Sequence, residues 1–454
     1  MCTVKKNDII TLEITAIASQ GSGIGRCDTM AIFVPASAVG DVLEVRIVKV
    51  DKNCAYGRIE KIITPSPDRI ASDCPAFPQC GGCDFRHISY EAECKAKCLR
   101  VADAMKRIGG VDIAPEEYIC APSPDRYRNK AQLPYAMTKN GAVFGFYAER
   151  SHRVVPCSDC LLQPEHFSRI AAAAAKFFEE SGNEPYDELT GKGRVRHLFM
   201  RTSQSTGETV VCVVVNGNGL KNEPEFVEAV RSAYDKVSGV VINVNRENTN
   251  VILGSKSRTA WGSDTITDRL CGMDFAISVK SFFQVNRVQA EQLYLKAAQY
   301  AELTGSETLL DLYCGTGTIG LSMANNVRQL IGVEIIPEAI ENADKNAQRN
   351  GISNARFICA DAAKAAEQLR KEGIKPDVII LDPPRKGCAE ELIGTVSHMS
   401  PDRIVYISCD PATLARDIKR FSEYGYEVKR LAAADLFPRT RHVESVCLLT
   451  REGK

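Results

Sequence analysis

The sequence predicts an α/β chain in three parts: a small β-barrel of OB type, a central α+β segment, and a doubly wound, Rossmann-like sheet. Three observations carry this. Residues 7–62 alternate short apolar strands with Gly-rich turns, the pattern of a small barrel. From residue 302 onward, buried-strand runs alternate with helical periods, as in a parallel sheet with helices on both faces. Between them, residues 120–275 mix strands with an Ala-rich helix. At 454 residues, the chain is also too long for one ordinary core.

The first part covers 1–63, with strands at 9–17, 31–34, 42–50 and 56–63 broken by the Gly-rich run 20–25. Thr64-Pro65-Ser66-Pro67-Asp68-Arg69 reads as a linker. The second part, 64–275, contains a cysteine-rich loop and helices at 90–107 and 166–180. Its helical stretch near 90–117 is expected to pack with the third part, 276–454. There the strand candidates are 308–312, 329–334, 356–360, 378–381 and 404–408.

No apolar run approaches the roughly 20 residues of a membrane span. Lys5, Lys6, Asn7 and Asp8 interrupt the start of the chain before any signal-like core, so a cytoplasmic monomer is expected. With 18 cysteines in a long chain of this kind, metal or catalytic roles are favoured over a disulfide framework. Cys27, Cys54, Cys212 and Cys447 read as ordinary buried thiols.

Formal charge is zero, which does not announce a nucleic-acid partner, but its distribution is uneven. Arg126, Arg128, Lys130, Lys139, Arg150 and Arg153 outnumber Asp125 and Glu149 between 124 and 155. Lys192, Arg194, Arg196 and Arg201 follow with no acid among them. Tyr127, Tyr135, Phe144, Phe146 and Tyr147 interleave with the first cluster. Cations for phosphates and aromatic faces for bases suit RNA; a solvated basic strand face fits equally well.

A cofactor site is written at the ends of the last strands. Asp311-Leu312-Tyr313-Cys314-Gly315-Thr316-Gly317 places an acid and a Gly-x-Gly turn where a helix begins. Glu334, ending the next strand, is placed to take a ribose diol. NAD and S-adenosylmethionine share this layout. The missing third glycine at the NAD offset, with Asp361 and Asp382-Pro383-Pro384 after the following strands, favours the methyl donor. Arg385-Lys386 follows the prolines where amine methyltransferases carry an aromatic residue, which counts against that chemistry.

Cys409 stands just past the fifth strand and before a helix at 412–421, a place that lowers a thiol pKa and suits a nucleophile. Glu444, in an apolar strand, is a general-base candidate whose pKa burial would raise.

These motifs are specific together. Ser281-Phe282-Phe283-Gln284-Val285-Asn286, Tyr313-Cys314-Gly315, Asp382-Pro383-Pro384-Arg385, Ser408-Cys409-Asp410-Pro411 and His442-Val443-Glu444 resemble the RNA uracil-5-methyltransferase family. The amino-terminal segment resembles that family's TRAM domain, an RNA-binding barrel. The resemblance implies a class I methyltransferase domain with S-adenosylmethionine held by Gln284, Tyr313, Glu334 and Asp382, and Asp361 on the adenine side. It implies Cys409 as nucleophile toward carbon 6 of uracil and Glu444 as acceptor of the carbon 5 proton.

Cys74, Cys80 and Cys83 form a C-x5-C-x2-C loop, and Cys157 or Cys160 would complete a metal site. Zinc and an iron–sulfur cluster both fit the spacing. Resemblance to the iron–sulfur members implies a [4Fe–4S] cluster with Cys160 as fourth ligand. The cluster and barrel together favour 23S ribosomal RNA as substrate, with tRNA the alternative. A non-catalytic RNA-binding factor and an iron–sulfur redox protein are the competing classes. Both leave the complete donor site, Cys409 and Glu444 without a use.

Overall fold

The computed structural model describes residues 4–149 and 151–451. Arg150 of the basic cluster and residues 1–3 of the amino-terminal run lie outside them. The first five strands, β1 (Ile9–Ile17), β2 (Gly23–Cys27), β3 (Met30–Val34), β4 (Val42–Val50) and β5 (Cys54–Thr64), close into a barrel of order β1-β2-β3-β5-β4. Alternate residues such as Leu12, Ile14, Ile32, Val34, Val45 and Ile47 fill it. The sequence reading took residues 20–25 as a break, yet Gly23 and Gly25 belong to β2. A Cβ at Gly23 would strike Ser37 and Ile14, and one at Gly25 would strike Leu12. Close backbone approach inside a narrow barrel, rather than a turn, requires these glycines.

Helix α1 (Tyr90–Ala104) is capped by Ser89, whose hydroxyl accepts from the Ala92 amide at 3.2 Å. Its Val101 and Ala104, with Met105 beyond it, join the core under the carboxy-terminal sheet. Strand β6 (Glu117–Ile119) adds to the edge of that same sheet. Chain order and spatial grouping therefore part company here.

The central sheet comprises β7 (Lys130–Thr138), β8 (Gly141–Tyr147), β9 (Val154–Pro156), β10 (Val195–Thr202), β11 (Thr209–Val215), β12 (Val237–Val244) and β13 (Lys256–Gly262). Its order is β13-β12-β11-β10-β7-β8-β9. Helices α2 (Glu165–Glu180) and α3 (Glu223–Ala233) cover one face through Phe167, Ile170, Ala174, Phe178 and Phe226. A hairpin, β14 (Thr265–Leu270) and β15 (Met273–Ser278), leads to α4 (Arg287–Ala301).

The last sheet holds β16 (Thr308–Leu312), β17 (Gln329–Glu334), β18 (Ala355–Cys359), β19 (Val378–Leu381), β20 (Arg403–Ser408), β21 (Tyr426–Ala434) and β22 (Glu444–Arg451). Between them run α5 (Thr318–Met323), α6 (Pro337–Arg349), α7 (Ala362–Lys371), α8 (Glu390–Met399) and α9 (Pro411–Ser422). The order is β18-β17-β16-β19-β20-β22-β21-β6. The five strands expected from sequence are parallel; the inner ones are buried on both faces and mostly apolar, whereas edge strand β18 leaves Arg356 and Cys359 exposed. The sheet does not stop there. β22 inserts antiparallel between β20 and β21, which brings the start of β22 beside the end of β20.

Candidate active site

At the carboxyl end of β16, Asp311 is fully buried, and its Oδ2 accepts the Gly320 amide at 2.9 Å. Burial, with Asp382 and Glu334 nearby, pushes its pKa up to about 8, and its Oδ1 has no partner. Tyr313, Gly315 and Gly317 all have positive φ, a conformation that costs glycine little and tyrosine more. A Cβ at Gly315 would meet nothing within 4 Å, so the turn faces open space. Glu334 closes it: Oε2 accepts the Gly315 amide at 3.2 Å, and Oε1 accepts the Ile335 and Ile336 amides at 2.8 and 3.0 Å. Acid, glycine turn and orphaned buried oxygen together fit a nucleoside-bearing cofactor at this strand edge.

Gln284 enters from the segment before α4. Asn129 fixes its backbone by donating Nδ2 to the Gln284 carbonyl at 2.9 Å, and Arg201 donates to the Ser278 and Ser281 carbonyls at 2.8 and 2.7 Å. Its side chain reaches the hydroxyl of buried Tyr294, which also meets Thr318 at 3.3 Å and lies near Asp382. Neither Asn129 nor Tyr294 is legible as a site residue in the sequence, because Asn129 lies within the basic run 126–130 and Tyr294 within the ordinary helical period of α4. Asp361 caps α7, its Oδ1 accepting from Ala363 and Lys364 at 3.1 and 3.2 Å. Capping occupies that oxygen.

Cys409 and Glu444 are neighbours by ladder geometry. Ser408 pairs with Ser445 in the antiparallel β20–β22 register, so the residue after one faces the residue before the other. Half-buried Cys409 has its thiol pushed up to about 11 by burial and the charges of Glu444 and Asp382, with Arg385 opposing. The expected lowering by the helix terminus is not found. Asp410 caps α9 instead, accepting the Ala412 and Thr413 amides at 2.9 and 3.1 Å, so those dipoles are already neutralised. Glu444, 6% exposed, is raised to about 8 by burial and Asp382, again with Arg385 opposing. Burial raises Asp382 to about 7, although its residue remains partly accessible. Two carboxyl groups and a thiol thus share one cleft with the cation of Arg385, a residue whose part in the site its place in the Asp382-Pro383-Pro384-Arg385 motif does not reveal.

The basic cluster is corrected in part. Arg126 is bound to Asp159 at 2.7 Å and to the Cys160 and Gln163 carbonyls. Arg196 and Arg201 are buried and donate to backbone carbonyls. Tyr127, Tyr135 and Phe144 are core residues. Long-range packing, invisible in the linear charge pattern, turns Arg196, Arg201 and these rings inward and ties the half-exposed Arg126 to Asp159.

Cys74, Cys80, Cys83, Cys157 and Cys160 line one cavity of about 250 Å³ with Arg86 and Arg128. Among the described residues, no three His, Cys, Asp or Glu side chains are arranged to hold a metal ion. Cys157 hydrogen-bonds Cys160, whose thiol is thereby held down at about 7. Of the four thiols read as ordinary, Cys212 and Cys447 are buried, Cys54 is half-buried, and Cys27 packs half-buried against the barrel core.

Known proteins share this design. The family model for tRNA (uracil-5-)-methyltransferases matches residues 255–452, and the TRAM domain matches residues 4–59. An uncharacterised RNA methyltransferase of Halalkalibacterium halodurans is 41% identical over 447 residues, 98% of both chains. The chain belongs to the RNA uracil-5-methyltransferase family. Another RNA methyltransferase, from Clostridium tetani, is 41% identical over 99% of this chain and 98% of its own. The crystal structure of Pyrococcus abyssi tRNA (uracil-54, C5)-methyltransferase with S-adenosyl-L-homocysteine superposes with a TM-score of 0.78. It is 27% identical and covers 97% of this chain and 100% of its own. As a uracil-5-methyltransferase family member, the protein is an S-adenosylmethionine-dependent RNA methyltransferase, and its barrel is the TRAM domain. None of its helices, among the described residues, is long and apolar enough to cross a membrane.

Proposed function

We propose that this enzyme methylates carbon 5 of a uridine in RNA through a covalent adduct on Cys409. The observation that carries it is the β20–β22 register, which sets Cys409 against Glu444 beside Asp382 and Arg385. S-adenosylmethionine, when bound, supplies an electrophilic methyl group. Gly315, Glu334, Gln284, Tyr313 and Asp382 would hold it, with Asp361 at the rim. The Cys409 thiolate adds to carbon 6 of uracil, and the resulting enolate carries the electron pair at carbon 5 that accepts the methyl. Glu444 then takes the carbon 5 proton, the carbon 6–sulfur bond breaks, and the thiolate leaves. A carboxylate raised to about 8 is a stronger base than an exposed one. Arg385 favours the charged forms of both residues.

Cys409→Ala should abolish methylation and the denaturant-stable complex with 5-fluorouridine RNA. Glu444→Gln should still transfer methyl but remain attached to RNA. A turning-over Cys409→Ala enzyme would refute the assignment.

The thiol-lined cavity supports a [4Fe–4S] cluster on Cys74, Cys80, Cys83 and Cys160. In such a cluster each thiolate binds a different iron, so the donors need not converge on one point. Its role is structural or RNA-positioning. Anaerobically purified protein is expected to carry about four irons per chain, to lose them in Cys160→Ser and to keep them in Cys157→Ser. Stoichiometric zinc without iron would overturn this.

Large-subunit (23S) ribosomal RNA is the proposed substrate, on the TRAM barrel combined with this cavity. Transfer RNA is the second reading, favoured by the substrate of the Pyrococcus abyssi enzyme. Mapping 5-methyluridine in both RNAs from a strain lacking the gene decides between them.

A further inference from the structure

Beside the cysteine cavity, on the sheet face that α2 and α3 leave uncovered, lies a second cavity of about 200 Å³. Neither the transferred methyl nor the cysteines use it. Its walls are Gln132, Pro134, Phe146, Tyr147 and His197, and Gly81 and Gly82 of the cysteine loop form one rim. The position follows from register. His197 on β10 pairs with Pro134 on β7, while their neighbours Leu198 and Leu133 point into the helix-covered core.

His197 is the most enclosed polar side chain of these walls. It is only 4% exposed, and its Nδ1 has no hydrogen-bond partner. A buried polar atom left unpaired is unfavourable, and such atoms in native proteins call for an explanation. Burial and neighbouring Arg196 lower its pKa to about 4, so the ring is neutral near pH 7 and lines the cavity without charge. The Tyr147 ring stands edge-on to it at 6.2 Å, and Gln132 adds an amide with both a donor and an acceptor. Two aromatic walls, an uncharged imidazole and the Gln132 amide in a half-open pocket match the flat, hydrogen-bonding edge of a nucleobase. A phosphate would find no cation among these walls.

We propose that this pocket holds an unpaired nucleobase of the substrate RNA, apart from the uracil that is methylated. Single-stranded RNA presents splayed bases to aromatic side chains in this manner. A base seated here would anchor the strand against the central sheet and against the loop that carries Cys80 and Cys83. The inference rests on RNA being the substrate, not on which carbon is methylated.

The test uses fluorescein-labelled 12-nucleotide strands of rA, rC and rU, and an abasic ribose-phosphate strand of the same length. Full-length wild type should bind at least one base-bearing strand about tenfold more tightly than the abasic one, the scale of one stacked, hydrogen-bonded base. His197→Leu, which keeps bulk but removes both nitrogens, should erase most of that preference while leaving abasic affinity unchanged. Tyr147→Leu, which removes a wall without entering the sheet core, should do the same. Unchanged preference in both variants, or equal loss on base-bearing and abasic strands in both, overturns the proposal. Methylation of the mapped uridine is read separately, so failure of the pocket and failure of the uracil-5 reading are distinguishable.

Discussion

Cys409, Glu444, Asp382 and Asp311 illustrate what a crowded acidic cleft does to single residues. Each carries a proton more tightly than it would in water, because burial disfavours charge and, for all but Asp382, neighbouring acids repel it. For Glu444 the sign has a consequence for stability. Its pKa rises from the ordinary 4.5 to about 8 in the folded chain, so the native state binds the proton more tightly than the unfolded state. Stability therefore falls as pH climbs from about 4.5 toward 8, by up to about 1.4 kcal/mol per unit. Glu444→Gln removes this term. Its melting temperature should match wild type near pH 4 and exceed it increasingly up to pH 8, as read by calorimetry across that range. A constant difference at every pH would mean that Glu444 is not held protonated by burial.

Among the elements, α9 matters most to the nucleophile. Asp410 is the N-cap, Pro411 opens the first turn with its fixed φ, and Leu414, Ala415, Ile418 and Phe421 anchor the helix in the core. Asp410→Ala is expected to cost about 1 kcal/mol in urea unfolding. It also uncovers the Ala412 and Thr413 amides, so the rate of Cys409 alkylation at pH 8 should rise as the freed helix terminus draws the thiolate. Unchanged alkylation would show that the amides do not reach the sulfur. Asp410→Asn, which keeps a capping oxygen, should restore stability.

Across the whole molecule, a buried charge group ties the amino-terminal half to the base. Lys97 on α1 donates to Glu93 at 2.6 Å, to Asp435 at 2.8 Å and to the Phe437 carbonyl at 3.2 Å. Glu93 in turn accepts the Arg439 amide at 2.7 Å. From the cysteine loop, the Asp84 and Phe85 amides both donate to the Arg439 carbonyl, and Asp84 accepts the Arg441 amide at 2.8 Å. The segment leading into Glu444 is thus held from two sides. Lys97→Met should destabilise by about 3–5 kcal/mol, since it strands two buried carboxylates. In protein that still folds, resolution of the RNA adduct should slow more than its formation. Equal slowing of both steps would deny this segment a role in placing the base.

The sequence by itself determined the elements whose signals are local. Alternation in β1 and β4, the apolar cores of β16, β17 and β19, the Gly-x-Gly turn and the strand-end acids were all legible, because period and turn chemistry act within a few residues. Tertiary structure alone decided the rest. β22 sits beside β20, the cysteine loop meets residues 157–160 across one cavity, and β6 completes a sheet whose other strands lie beyond residue 300. It likewise decided that Arg126, Arg196 and Arg201 brace the interior rather than face RNA, and that Asp410, not Cys409, takes the α9 amides. Each of these depends on groups far apart in the chain competing for the same partner. Only the packed fold sets the distances that settle such competition.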